Sequence, residues 1–179
     1  DNIFYSVQPA EQTDFTDNSF DLVTIAQALH WFRFDEFYKE LKRVTKPGGV
    51  FAGWTYSVLR MTDEIDALIE YHHYNTLRDY WDDERKYVDE EYRNIPFPFE
   101  KINVPSFTIE YNWTIEELEG YLNTWSALQK FITKNNYNPV DDLIGNIKAH
   151  CKKEQMKIIF PVQLLLGRIE KQVNNCGLA

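Results

Sequence analysis

The sequence has 179 residues, of which 44% are hydrophobic and 16% aromatic, and this is the composition of a folded domain, not of a disordered chain. Its formal net charge is −9, so the surface repels phosphate backbones and we expect no nucleic-acid partner. No apolar run reaches the roughly 18 residues of a membrane span, and no signal peptide or disulfide framework is evident, so we expect a cytoplasmic protein without a membrane partner.

The first half of the chain predicts two strands around a helix. A short β-type run, Ile3–Val7, comes first, and polar turn residues follow it. Leu22–Ala26 is nearly continuously apolar, which is typical of a strand buried on both faces. Apolar residues then recur at steps of three and four over Phe34–Val44, which predicts a helix, and Val50–Trp54 is the next strand. This order predicts a βαβ unit with parallel strands.

A second helical pattern and a strand occupy the middle of the chain. Apolar residues between Ile65 and Leu77 share one helical face, and acidic residues at Asp63 and Glu64 favour a helix start there. Phe107–Trp113 alternates strictly between apolar and polar residues. Strict alternation predicts a strand with one buried face, close to the edge of a sheet.

The last third predicts two further helices and a final strand. Thr114 and Glu117 have the spacing of a capping box, which predicts a helix start. Asn138-Pro139 predicts another, because proline is favoured in a first helical turn. Ile158–Leu166 is an apolar run that predicts an inner strand, and Pro161 within it suggests a bulge.

Two segments carry a resemblance to a known family. Phe20–Phe32 is a predicted strand that ends in an aromatic turn, and Lys46–Gly49 (Lys-Pro-Gly-Gly) opens the next strand. Together they resemble the second half of a class I S-adenosylmethionine-dependent methyltransferase. Thr124–Ser126 and Leu165–Gly167 are similar to the small-acid branch related to trans-aconitate methyltransferases. The resemblance implies an α/β fold, namely a Rossmann-like class I methyltransferase sheet with a C-terminal antiparallel hairpin.

The cofactor that the resemblance implies is S-adenosylmethionine. Ala10 and Glu11 look like the loop that meets the adenine edge, although a solvated loop is the alternative for both. Ala26 and Gln27 stand at the carboxyl end of a predicted parallel strand, where open α/β sheets bind ligands. The resemblance therefore places these two residues beside the methionine part of the cofactor.

The candidate residues for the acceptor lie after the same two strands. His30 is the catalytic candidate, because a histidine can orient an acceptor or act as a base, and a structural role is the alternative. Trp31, Trp54, Tyr56 and Arg60 are candidates for the acceptor pocket. Packing is the alternative for Trp31, whereas Arg60 is suited to clamp a carboxylate through two hydrogen bonds.

The function implied by the resemblance is methyl transfer to a small molecule, with a small carboxylic acid as the leading class. A carboxylate is already anionic at neutral pH, so such an acceptor needs no general base. We expect no metal, because His72 and His73 are adjacent and adjacent helical residues point to different faces. A methyltransferase that acts on a macromolecule is the alternative that the acidic composition disfavours.

The sequence lacks the Gly-rich loop that the family carries on its first strand. The family's strand order is 3-2-1-4-5-7-6, so we expect residues 1–179 to form a single, partial methyltransferase domain without strands 1 and 2. The strand at Leu22–Ala26 would then have an unpaired edge, which makes self-association possible. This fragment alone is expected to be inactive and to bind cofactor weakly. A non-catalytic interaction module that uses the same edge is the alternative.

Overall fold

The computed structural model describes residues 2–171 of the chain. The strands in this part of the chain are β1 (Phe20–Ala26), β2 (Thr45–Tyr56), β3 (Glu100–Lys101), β4 (Phe107–Trp113) and β5 (Met156–Arg168). The α-helices are α1 (Phe34–Val44), α2 (Asp63–Tyr71), α3 (Arg85–Asp89), α4 (Ile115–Leu122), α5 (Ser126–Asn135) and α6 (Val140–His150). Short 3₁₀ turns cover Leu29–Trp31 and Arg78–Tyr80, and a π-helical turn covers His72–Thr76. None of the helices in residues 2–171 is long and apolar enough to cross a membrane.

The chain divides into two compact units. The first comprises the residues up to Thr55, Tyr92–Pro105 and the residues from Gln163 onward, and the second comprises Tyr56–Glu91 and Ser106–Val162. The prediction that residues 1–179 form a single, partial methyltransferase domain stays a prediction.

The first unit contains the predicted βαβ unit. β1 pairs with β2 in parallel, from Leu22 opposite Val50 to Ala26 opposite Trp54. α1 connects them and buries the predicted apolar face, including Phe37 and Leu41. The sheet order is β1-β2-β5-β3, and β3 and β4 pair with β5 in antiparallel orientation, so the α/β fold and its C-terminal antiparallel strands are confirmed.

Two glycines shape the start of β2. Gly48 has a φ of 76°, a backbone conformation that side chains other than glycine rarely adopt. A Cβ on Gly49 would lie 2.6 Å from the Thr45 methyl group and 3.1 Å from the carbonyl oxygen of Asp21. The Pro-Gly-Gly segment is therefore needed for the chain to leave α1 and approach β1 this closely.

The second unit has its own apolar core, formed by α2, α4, α5, α6 and the first half of β5. The largest fully buried side chains there include Ile65, Ile69, Leu118, Leu128 and Ile147. The predicted capping box is confirmed: Thr114 Oγ1 accepts from the Glu117 amide at 3.3 Å, and Glu117 Oε2 accepts from the Thr114 amide at 2.8 Å. The predicted helix start at Asn138-Pro139 is also confirmed, since α6 begins at the next residue.

The predictions for Ile3–Val7 and for the burial of β1 were wrong. Ile3–Val7 is not a strand, and Ile3, Phe4, Tyr5 and Val7 are between 63% and 104% exposed. β1 is not buried on both faces, since Leu22 is 53% exposed. In both cases the reason is a missing neighbour, because within residues 2–171 no strand pairs with Ile3–Val7 and β1 pairs only with β2.

Pro161 causes no bulge in the β4–β5 ladder. The pairing runs without interruption from Phe107 opposite Val162 to Trp113 opposite Met156, with Thr108 opposite Pro161. The carbonyl oxygen of Pro161 still takes part in the sheet's hydrogen bonding, since it accepts from the Ser57 amide at 3.0 Å. The lack of an N–H group on Pro161 therefore does not shift the register of β4 against β5.

Candidate functional site

The carboxyl ends of β1 and β2 meet at a polar position of the first unit. The Gln27 amide donates to the carbonyl oxygen of Trp54 at 2.8 Å, and Thr55 Oγ1 donates to Gln27 Oε1 at 2.7 Å. Gln27 has a φ of 53°, a left-handed conformation that is uncommon for residues other than glycine. These bonds hold Ala26, Gln27 and Trp54 together at the edge where open parallel sheets bind ligands.

His30 lies just beyond this strand end and is buried, with 6% of its surface exposed. Its Nδ1 atom and the hydroxyl of Tyr92 share a hydrogen bond of 3.0 Å. Trp31 packs beside the imidazole, with ring centroids 4.9 Å apart, and is 54% exposed. The turn therefore buries the histidine and leaves the indole at the surface, so Trp31 is not a core residue.

The contact between His30 and Tyr92 was not predicted from the sequence. Tyr92 is 62 residues away from His30 along the chain and 3% exposed. Glu91 and Tyr92 have φ values of 57° and 58°, so two consecutive side-chain-bearing residues are left-handed. Each such residue costs about 1 kcal/mol or more, and strain of this kind concentrates at functional sites.

The loop that carries Ala10 and Glu11 lies against the start of α1. Glu11 Oε1 accepts from the Arg33 amide at 3.1 Å and is 3.8 Å from the Arg33 guanidinium. The hydrogen bond from this amide is the main reason that the pKa of Glu11 is lowered. Because the carboxylate is used in this way, it anchors the loop, and Ala10 and Glu11 remain adenine-contact candidates through their backbone.

An ion pair on α1 between the buried Glu40 and the partly exposed Arg43 holds the rest of this loop. Glu40 is 8% exposed and accepts from the Thr13 amide at 2.8 Å and from Arg43 Nη2 at 2.7 Å. Arg43 also donates to the carbonyl oxygen of Phe15 at 2.7 Å and to Asp17 Oδ1 at 2.8 Å. The hydrogen bonds from Arg43 are the main reason that the pKa of Glu40 is lowered to about 2. We call Glu40, Arg43, Thr13 and Asp17 the loop clamp.

Sequence reasoning missed the loop clamp, although one signal was present. Glu40 falls on the apolar face of α1, three residues after Phe37 and four before Val44. A carboxylate on a buried helical face needs a partner, because burial without one is costly. Arg43 is placed one turn away to supply it.

Tyr56 and Arg60 lie in the second unit. The Arg60 guanidinium is hydrogen-bonded to Glu70 and lies 3.9 Å from Asp66 Oδ2. The hydrogen bond to Glu70 is the main reason that the pKa of Arg60 is raised. An acceptor carboxylate would have to replace Glu70, so Arg60 stays a prediction. Tyr56 lines a cavity of about 210 Å³.

The adjacent histidines are both buried in the π-helical turn of the second unit. His73 Nε2 is 3.2 Å from Asp89 Oδ1, and Arg85 Nε donates to the same oxygen at 3.1 Å. Burial is the main reason that the pKa of His72 is lowered to about 4. Within residues 2–171, no group of three or more His, Cys, Asp or Glu side chains is arranged to hold a metal ion.

Comparison with known proteins agrees with this architecture. Residues 2–53 match the family model described as a methyltransferase domain. A methyltransferase of Dictyostelium discoideum is 33% identical over 95% of this chain and 68% of its own length. An S-adenosylmethionine-dependent methyltransferase of Saccharomyces cerevisiae is 22% identical over 81% of this chain and 60% of its own length. The chain thus spans about two thirds of the length of these relatives.

A solved structure is similar to the chain in fold as well as in sequence. A type II methyltransferase from Anaeromyxobacter dehalogenans superposes with a TM-score of 0.85 and is 35% identical. The match covers 93% of this chain and 72% of the solved chain.

Proposed function

Because the chain belongs to the class I S-adenosylmethionine-dependent methyltransferases, we propose that it serves methyl transfer to a small molecule, with a small carboxylic acid as the acceptor class. S-adenosylmethionine is the cofactor of this family and supplies an electrophilic methyl group when bound. The observation that carries the proposal is the polar strand end at Ala26, Gln27 and Trp54, which stands where this sheet type binds its ligands.

The residues present fit part of the cofactor. The loop with Ala10 and Glu11 is fixed by the loop clamp and by Arg33, which gives it the rigidity that an adenine contact requires. Gln27 is held in a left-handed conformation at the end of β1, which suits a contact with the methionine part. The sequence contains no Gly-rich turn for the methionine end of the cofactor, so these 179 residues do not supply that turn.

The role proposed for His30 is to orient the acceptor. Its Nδ1 is tied to the Tyr92 hydroxyl, which fixes the direction of the imidazole ring. A fixed ring can hold an acceptor in line with a reacting carbon, and such alignment supplies much of the acceleration in a displacement reaction. A proton does not have to be removed from a carboxylate acceptor at neutral pH.

The exposure of the Arg60 side chain supports a carboxylic acid as the acceptor. Its side chain is 44% exposed, and the competing carboxylate of Glu70 is 41% exposed. An ion pair this exposed is weak and exchanges readily with an external anion. We therefore propose that an acid acceptor displaces Glu70 from Arg60. Trp31, Trp54 and Tyr56 stay predictions as acceptor contacts.

The acceptor class is tested with S-adenosylmethionine labelled on its methyl group. The full-length protein that carries this sequence is incubated with a panel of small carboxylic acids, amines and alcohols of matched size. The proposal expects label in the extractable methyl esters of the acids, and Arg60→Leu is expected to raise the KM for the acid with little change in kcat. Label found only in protein or nucleic acid would contradict it.

We propose further that residues 1–179 alone bind the cofactor weakly and are inactive. We also propose that the full-length protein that carries them acts in the cytoplasm.

The second candidate function is a non-catalytic interaction module. The observation that favours it is the unpaired edge of β1 within the described residues, with Leu22 exposed beside it. Sedimentation of the chain at increasing concentration tests this candidate, because pairing through the edge predicts a concentration-dependent dimer that Thr24→Pro disrupts.

A further inference from the structure

Five aromatic rings of the second unit form a box-shaped cavity. Phe160 on β5 lies at its bottom and is 3% exposed. Tyr111 and Trp113 on β4, Tyr121 on α4 and Tyr56 at the end of β2 surround it, and Ile109 completes the lining. The cavity has a volume of about 210 Å³. We call these five aromatic residues the aromatic box.

The rings stand around Phe160 at steep angles. The interplanar angles to Phe160 are 79° for Tyr56, 80° for Tyr111, 66° for Trp113 and 74° for Tyr121, and the centroid distances lie between 5.3 and 6.3 Å. Phe160 therefore forms the floor of the cavity, and the other four rings form its walls. The walls are only partly buried, and Tyr111 is 47% exposed, so a ligand can reach the cavity.

The strand register explains why the rings gather. Ile109, Tyr111 and Trp113 alternate along β4 and so project to one face, and Tyr111 lies opposite Ile158 in the β5 ladder. Tyr121 comes from the helix that the capping box starts directly after β4. Local sequence therefore brings most of the box together, and Tyr56, Trp113 and Tyr121 pack against the buried core of the same unit.

The box has the charge properties of a site for an organic cation. All six lining residues are uncharged, and aromatic faces carry negative potential that attracts cations. Among residues 2–171, four cations lie over aromatic rings, and none of those rings is Tyr111, Trp113, Tyr121 or Phe160. An anion would find no positive group in the lining, whereas a cation also gains from a chain with a net charge of −9.

We propose that the aromatic box binds an alkylammonium group of a small organic cation. Arg60 does not line the cavity, so the box is separate from the carboxylate role proposed for Arg60, and among the acceptor candidates only Tyr56 belongs to it. Binding of a cation to the box requires neither cofactor nor methyl transfer, so the proposal can be tested separately from the proposed function.

The test compares three probes of the same shape and different charge by calorimetric titration into the 179-residue chain. Choline is the cation, 3,3-dimethylbutan-1-ol is its neutral isostere, and 3,3-dimethylbutanoate is the anion. We expect choline to bind between about two- and thirtyfold more tightly than the alcohol, the range set by cation–π attraction at exposed and desolvated sites. Equal binding of the alcohol, or no binding of choline, would overturn the proposal.

The anion distinguishes the two proposals. If 3,3-dimethylbutanoate binds most tightly, the box serves the acid acceptor and the cation proposal fails while the proposed function gains support. If choline binds as expected and labelled methyl groups never reach a small acid, the proposed acceptor class fails alone.

Matched variants locate the binding. Tyr111→Leu keeps an apolar side chain but removes one ring, so choline affinity is expected to fall toward that of the alcohol while the alcohol's affinity is unchanged. Tyr111→Phe keeps the ring and should retain choline binding. Tyr71→Leu replaces a 65% exposed tyrosine outside the box and is the control. Equal losses for both probes in Tyr111→Leu would show a structural role only and contradict the proposal.

Discussion

At the scale of single residues, the loop clamp is the best-defined feature of the first unit. Glu40 accepts hydrogen bonds from Thr13 and from Arg43, and it does so while nearly buried. The clamp connects residues that are 27 positions apart and holds the loop that carries the adenine candidates. The placement of Ala10 and Glu11 therefore depends on a helix that does not itself carry a predicted cofactor contact.

Replacement of Glu40 tests the clamp. Glu40→Gln removes the charge that Arg43 faces, and because hydrogen bonds between charged groups contribute about 1.5–3 kcal/mol, we expect the free energy of unfolding to fall by about that amount. Urea unfolding measures it. Glu36→Gln on the same helix is the control, because Glu36 is 53% exposed and pairs with Arg33 only at 4.0 Å. Equal losses in the two variants would refute a special role for Glu40.

The lowered pKa of Glu40 gives the clamp a pH dependence. A carboxyl group whose pKa falls from 4.5 to about 2 on folding contributes stability that is present above pH 4.5 and is lost as the pH falls toward 2. The free energy of unfolding should therefore decline over this window, and Glu40→Gln should decline less. Unfolding curves at pH 6, 4 and 3 provide the comparison, and parallel declines in both proteins would speak against the assignment.

At the scale of elements, the capping box of α4 offers a measurement in the second unit. Thr114→Ala removes the oxygen that accepts from the Glu117 amide, and loss of such a cap costs about 0.5–2 kcal/mol. Thermal and urea unfolding should both register the loss. Thr133→Ala is the control, because Thr133 is exposed within α5 and its hydroxyl bonds only to the carbonyl oxygen of Gln129. A control as destabilising as Thr114→Ala would contradict the assignment.

The elements that could be predicted from sequence are those whose signals are local. α1, β4 and the start of α4 depend on periodicity and capping over a few residues, and the structure has these elements where they were predicted. The predicted buried face of β4 was wrong, since Phe107, Ile109 and Tyr111 are between 38% and 47% exposed. The burial of β1 could not be predicted, because it depends on which strand lies next to it. α5 was missed, since it begins at Ser126 and its N-cap residue, Trp125, forms no side-chain cap.

Only those positions of the candidate site that follow from the order of strands and helices could be predicted from the sequence. Gln27 was placed at a strand end by the βαβ pattern alone, and the structure has it there. Tyr92 and the loop clamp required contacts between residues 62 and 27 positions apart, and no local pattern encodes such distances. Arg60 was expected to present its guanidinium to an acceptor, and only the structure reveals Glu70 and Asp66 beside it.

At the scale of the whole molecule, residues 2–171 form a Rossmann-like methyltransferase sheet. Its order β1-β2-β5, with β3 and β4 on the far side of β5, corresponds to the family's order 4-5-7-6. We proposed the loop of Ala10 and Glu11 for adenine and the end of β1 for the methionine part, and the sequence contains no Gly-rich turn. This division of the cofactor site is the central claim.

Calorimetric titration of S-adenosylhomocysteine tests that claim most directly. The titration is made into the 179-residue chain and into the full-length protein that carries it. We predict one-to-one binding to the full-length protein, and binding to the 179 residues that is at least about tenfold weaker, as expected from the loss of one charged or bidentate contact or more. Tight one-to-one binding by the 179 residues alone, or no binding by either protein, would contradict the account.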